Sequence, residues 1–200
     1  MRSSVLVIAL AWVALPLFGQ SNDISVWIGS SHVGTTNESG TAVRFDRGDS
    51  VGASWNHFWS SRLSGELAVF AVRHQGSVQI GGVNAFDIGH LRMLPVTATL
   101  QWHLGQFRRL DAHFGPGLAY VRSDDIHSSD LDTAGVGTVK VKSRIGWTVD
   151  GGLSYGITPH LGVGADARYI GYRPSSGPSN ASLKLRLNPV IYSLGLRWRL

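Results

Sequence analysis

The residues of this chain that could do chemistry fall on one parity of alternating stretches. Gln101 and His103 alternate with Leu100, Trp102 and Leu104. Lys142, Arg144 and Asp150 alternate with Val141, Ile145, Trp147 and Val149. Asp166 and Arg168 alternate with Ala165, Ala167 and Tyr169, and Arg197 and Arg199 with Leu196, Trp198 and Leu200. A period of two puts each set on one face of a strand. Gathered inside one structure, these groups could line an anion-friendly vestibule or constriction. They could equally pair with one another as a salt-bridged plug that satisfies buried charge. The plug is the preferred reading.

Other reactive residues form weaker patterns. Asp124, Asp125, Asp130 and Asp132 share a stretch without Lys or Arg, but lack the spacing of a calcium loop, so a solvated loop is expected. The His residues stand singly, so no metal site is expected. His127, Ser128 and Asp125 include the residue types of a hydrolytic triad, which keeps a lipid-modifying enzyme as an alternative. A triad is recognised by geometry, which adjacency in one loop does not supply, and no phosphate loop is present. No catalytic residue and no cofactor is expected.

The elements that must hold these residues are strands. The clearest pair runs from Val139 to Tyr172, with the short link Gly156 to His160 between its arms. Earlier strands are expected at Ile24–Val33, around Val51–Trp55, from Arg62 to about His74, at Met93–Leu104 and at Leu110–Arg122. The last is expected at Leu183–Leu200, with a bulge at Pro189 where the apolar parity changes. The intervening stretches alternate long and short. Gly34–Arg47, Gln75–Arg92, Ser123–Thr138 and Arg173–Ser182 are long. Long loops on one side and short turns on the other, with an even strand count of eight, are the pattern of an outer-membrane barrel. Aromatic residues near the strand ends, such as Trp55, Trp102, Trp147 and Trp198, would form its interfacial girdles. The apolar face would then meet lipid and the polar face the lumen. A soluble lipocalin-like barrel would reverse the faces.

Composition agrees with export. The chain has 200 residues, no Cys, a formal charge of +5 and only 16% charged residues, with 25 Gly and 7 Trp. The absence of Cys excludes disulfides and thiolate metal sites. Arg2, the apolar run Val5–Leu15, Pro16 and the small residues Gly19 and Ser21 read as a signal peptide over residues 1–20, leaving residues 21–200 as one barrel domain. Lys and Arg are dispersed along strands, so nucleic acid is not an expected partner.

Several motifs resemble the outer membrane protein W family. Leu94-Pro95-Val96-Thr97-Ala98-Thr99-Leu100-Gln101-Trp102-His103-Leu104 resembles its fourth strand. Phe114-Gly115-Pro116-Gly117-Leu118-Ala119-Tyr120 is similar to its Gly-x-Gly-x-x-Tyr strand. Asn188-Pro189-Val190 with Ser193 to Leu200 resembles its closing strand. The chain departs from the family in ending on Leu200 rather than Phe, and in having Pro95-Val96 where two prolines are common. The resemblance implies an all-β, eight-stranded antiparallel up-and-down transmembrane barrel with a narrow apolar channel. Small hydrophobic molecules would pass through it and leave sideways into the membrane. An occluded envelope barrel without transport is the alternative. Strand-disrupting Pro95, Pro116 and Pro189 mark where a lateral opening is expected. The partners implied are outer-membrane lipids and lipopolysaccharide, the barrel assembly machinery through the C-terminal strand, and a small hydrophobic permeant.

Overall fold

Alternation of apolar and polar residues produces eight long strands, each apolar on its exposed side. The computed structural model describes residues 21–34, 36–38, 41–80, 83–107, 109–125, 140–141, 143–172, 175–177, 183–184 and 187–200. The expected leader, Lys142, His127, Ser128, Asp130 and Asp132 lie outside the described residues. The barrel strands are β1 (Asn22–His32), β2 (Gly48–Ser60), β3 (Leu63–Ile80) and β4 (Val83–Phe107). They continue with β5 (Leu110–Ser123), β6 (Arg144–Gly156), β7 (Leu161–Gly171) and β8 (Val190–Arg199). Each pairs antiparallel with its sequence neighbour, and β1 pairs with β8 from Asp23↔Arg199 to His32↔Val190, which closes the cylinder. Closure leaves none of these eight barrel strands at a sheet edge.

The exposed side is the apolar side. On β6, Trp147, Val149, Leu153 and Tyr155 are exposed, while Thr148, Asp150 and Ser154 are buried. Ile28 is 70% exposed and Ile145 75%. A soluble barrel would bury these side chains, because apolar surface left in water is unfavourable. The apolar exterior fits lipid as the solvent of the wall. Short turns join β2 to β3, β4 to β5 and β6 to β7 at the end where Leu200 N–H donates to the Asn22 carbonyl. We call this the turn end, and the opposite one the loop end.

Several element boundaries differ from the sequence expectation. Gln75–Arg92 is not a loop: β3 and β4 continue as a hairpin to Ile80 and Val83. Register shifts at Gly76/Ser77 and Val78/Gln79 break the parity there, so alternation conceals the strands. Thr41–Phe45 pairs with the same extension of β3. The final strand starts at Val190, and Leu183–Lys184 instead pairs with Ser175–Gly177. No bulge stands at Pro189. Leu187, Pro189, Ile191 and Ser193 all point inward on one parity, and Ile170 N–H donates to the Pro189 carbonyl in the register of β7 with β8.

The interior has two tiers. Toward the loop end Phe70, Val72, Leu91, Met93, Val121, Ile170, Tyr172 and Ile191 pack as an apolar cluster. Toward the turn end the buried groups are polar or charged, among them Ser64, Glu66, His103, Asp111, Asp150 and Arg168.

Candidate functional site

The polar tier is a charged plug, and Arg168 is at its centre. Its position on β7 has inward parity, and its side chain is 1% exposed. The guanidinium donates to Glu66 on β3 and to Thr97 on β4. Its Nη2 also donates to Asp150 Oδ2 on β6 at 3.2 Å, and its Nε lies 3.7 Å from Asp166 Oδ1. Gln101 Nε2 donates to the same Asp150 oxygen, and Asn56 Nδ2 donates to Gln101 Oε1 at 2.9 Å. The five strands β2, β3, β4, β6 and β7 are thereby tied across the lumen. Arg168 also stacks on the Phe70 ring, 5.2 Å from its centroid, so the plug ends where the apolar tier begins.

His113 Nε2 lies 3.7 Å from Asp166 Oδ2. Ligand atoms of His113, Asp150 and Asp166 fall within 4.8 Å of one another, a set that could hold a divalent cation. The Arg168 guanidinium already stands against both carboxylates and supplies the positive charge there. This ion pairing accounts for the two carboxylates standing together.

A second network lies nearer the turn end. Ser64 Oγ and His103 Nε2 are 2.8 Å apart, and His103 Nδ1 is 3.0 Å from both oxygens of Asp111. These are the contacts of a Ser-His-Asp triad, formed by residues that adjacency in sequence did not suggest. The Ser64 backbone is paired on both sides, with Phe58 and Gln101, so it offers no free N–H beside the hydroxyl for an oxyanion. Ser64 is 0% exposed. The arrangement satisfies buried polar atoms, and the hydroxyl is closed to solvent. Below it, Arg197 bridges Asp111 at 3.6 Å and Asp23 at 3.4 Å, and Arg199 Nε donates to Asp23 at 2.9 Å.

Of the residues singled out by parity, Gln101, His103, Asp150, Asp166 and Arg168 are inside the barrel in these two networks. Arg197 and Arg199 are half-exposed at the turn end. Arg144 is exposed at the loop end and joins neither network. Parity alone did not single out Glu66, Asp111 and Asp23, the acids that complete the pairs. Glu66 and Asp111 share the polar parity of their strands, a signal that was available. Asp23 stands beside the expected leader and carries no such signal.

The prolines differ in their effect. Between β3 and β4 the paired residues pass from Val69↔Val96 to Val72↔Met93, skipping the two positions that include Pro95. Between β4 and β5 they pass from Thr99↔Gly117 to Trp102↔Phe114, skipping Pro116. Proline cannot donate to a ladder, which accounts for both gaps. The gap at Pro95 adjoins a cavity of about 570 Å³. Val51, Ala71 and Leu94 line it from the exposed side, and Ser50, Val72 and Met93 from the buried side. A larger cavity of about 1080 Å³ is lined by Leu104, Ala112, Gly151, Ala165 and Ala167; pairing is unbroken there between β5 and β6 and between β6 and β7, and shifts register between β4 and β5 at His103/Gln106.

The profile of the OmpW family matches residues 21–200. An uncharacterized outer-membrane protein of Sinorhizobium fredii, y4mB, is 24% identical over 58% of this chain and 48% of its own length, so the matched part spans about half of that relative. The crystal structure of the outer membrane protein OprG from Pseudomonas aeruginosa is similar with a TM-score of 0.74 at 18% identity, covering 91% of this chain and 96% of that one. The solution structure of Escherichia coli outer membrane protein W gives 0.53 at 19% identity, covering 90% and 98%. With the apolar exterior and closed ladder, these matches place the protein in the outer membrane. The chain belongs to the OmpW family of outer-membrane β-barrels.

Proposed function

We propose that the barrel carries small hydrophobic molecules passively across the outer membrane, with a side exit near Pro95. The observation that carries this reading is the order of the two tiers. An apolar interior at the loop end stands above a charged plug that an uncharged apolar molecule cannot cross without breaking ion pairs. A permeant admitted from the loop end therefore has its favourable route through the wall. The skipped pairs at Pro95 and the cavity beside Ala71 and Leu94 adjoin the apolar tier at Val72 and Met93. Gln101, His103, Asp150, Asp166 and Arg168 act here as the floor of the chamber rather than as an ion path. Eight strands enclose an interior that side chains fill, which suits a narrow route and not an aqueous pore. Residues 1–20 are read as the leader that exports the chain, and β8 as the strand offered to the assembly machinery.

The test is uptake of a hydrophobic fluorescent probe by liposomes containing the purified barrel. Uptake faster than in empty liposomes is expected. Equal rates would leave the envelope barrel without transport, a reading favoured by the close packing of Leu91, Val121, Ile170 and Ile191, none with measurable exposure.

A further inference from the structure

The outward-facing residues form an apolar band that ends abruptly near the loop end. On β3 the outward row is Leu67, Val69, Ala71 and then Arg73. On β4 it is Ala98, Val96, Leu94 and then Arg92, and on β5 it is Leu118, Tyr120 and then Arg122. Three adjacent strands thus close the band with arginine. Arg73 and Arg92 are direct cross-strand partners, and Arg122 faces Leu94, one step along from Arg92. Neighbouring strands lie about 4.8 Å apart, so the three guanidinium groups can converge on one ligand.

All three are exposed, and none of their guanidinium groups makes a hydrogen bond or ion pair to another described residue. Asp49, opposite Arg73, and Asp124, whose N–H donates to the Arg92 carbonyl, flank the cluster without pairing to it and leave it net positive. The same arginines and acids rim the cavity of about 570 Å³ beside Val51, Ala71 and Leu94. The outward rows of β1, β2 and β8 end instead on Ser30, Asp49 and Asn188.

An unpaired guanidinium at the edge of the hydrocarbon layer needs an anionic acceptor at headgroup depth, and its fork of donors matches phosphate. The loop end faces outward in a barrel of this topology, so the adjoining leaflet is the outer one. We infer that Arg73, Arg92 and Arg122 form a seat for the phosphate groups of outer-leaflet lipopolysaccharide, whose acyl chains lie against Val51, Ala71 and Leu94. The seat shares Ala71 and Leu94 with the proposed side exit, but it does not require transport and rests only on the protein's place in the outer membrane.

The test is native mass spectrometry of the detergent-folded full barrel titrated with diphosphorylated lipid A. Dephosphorylated lipid A and phosphatidylglycerol form the parallel arms. The R73Q/R92Q/R122Q variant is expected to bind diphosphorylated lipid A at least about tenfold more weakly than the parent. The singles R73Q and R122Q should each weaken it several-fold, which covers the case in which the triple variant does not fold. The R62Q/R109Q variant, altered at the turn end, should bind as the parent does. Equal binding of lipid A with and without phosphate, or unchanged binding by the single and triple variants, would overturn the seat. Equal affinity for phosphatidylglycerol would overturn the assignment to lipopolysaccharide.

Discussion

Removing the Arg168 guanidinium would leave Glu66, Asp150 and Asp166 as buried carboxylates without their shared cation. Breaking a buried pair from one side typically costs about 3–5 kcal/mol. Arg168→Met is expected to destabilise the barrel by about that amount, read as thermal unfolding in micelles. Adding Glu66→Gln should recover part of the loss, because one stranded charge is gone; no recovery would mean that Glu66 is not the principal partner. At the Ser64–His103–Asp111 contact, Ser64→Ala is expected to lower stability without altering membrane lipid composition, which lipid profiling would check. Parity makes both halves of the Arg168–Asp150 and Arg168–Asp166 pairs legible in the sequence, but only the basic half of the pairs with Glu66, Asp111 and Asp23. Arg168 and Asp150 stand out because their strands alternate cleanly. Which residues they meet is not legible there, since the partner of Arg168 is 102 residues away along the chain and is set by curvature of the wall.

The strands are legible where a band of lipid holds one face apolar, and not where they rise above it. The β3–β4 hairpin shows why. Above His74 and Arg92 two register shifts interrupt the alternation, although Phe45 and Val78 stay buried there. Its distal part is held instead by local bonds. Gly89 has a φ of 90°, in the left-handed region, and its N–H donates to Asp87 Oδ1 at 2.7 Å. Gln75 Nε2 donates to Asp87 Oδ2 at 2.7 Å. The Gly89 N–H, and then the Gln75 amide, hold the Asp87 carboxyl below its ordinary range. A lowered carboxylate value means support present above the unfolded value near 3.9 and lost as pH falls through the folded one. Amide exchange at Gly89, compared at neutral pH and below about pH 3, should rise relative to β6 amides once intrinsic rates are corrected. Gly89→Ala should loosen the same tip by about 1 kcal/mol through strain alone. At the Pro95 gap, Ala71→Trp is expected to fill the opening and slow probe uptake several-fold. Ala98→Trp, equally outward but within the continuous ladder, should leave it unchanged. Equal slowing by both would remove Pro95 from the exit.

For the whole molecule, closure depends on how nearly β1 and β8 can approach, because the seam joins the two ends of the chain. Asp23 helps to hold it through Arg197 and Arg199. Trp27 contributes more surface. Its indole lies flat inside the wall, with Nε1 donating to Ser54 Oγ on β2 at 2.9 Å, while its six-membered ring covers Gly195 on β8 and approaches Gly164 on β7. A Cβ at Gly195 would stand 2.4 Å from Trp27 Cε3 and 2.5 Å from the Val26 carbonyl oxygen. The backbone oxygen cannot move aside without parting the ladder between β1 and β8, which pair through Val26↔Leu196 and Trp27↔Gly195. Gly195→Val is therefore expected to oppose closure itself, and Trp27→Phe, which keeps the seam and loses one hydrogen bond, to weaken it only modestly. Electrophoretic mobility of boiled and unboiled samples distinguishes them, since a closed barrel keeps its compact form in detergent until heated. Parent and Trp27→Phe should shift on boiling, and Gly195→Val should migrate at one position throughout. A normal shift for Gly195→Val would mean that the seam tolerates a side chain there, and that closure is set by the ladder and the Asp23 ion pairs alone.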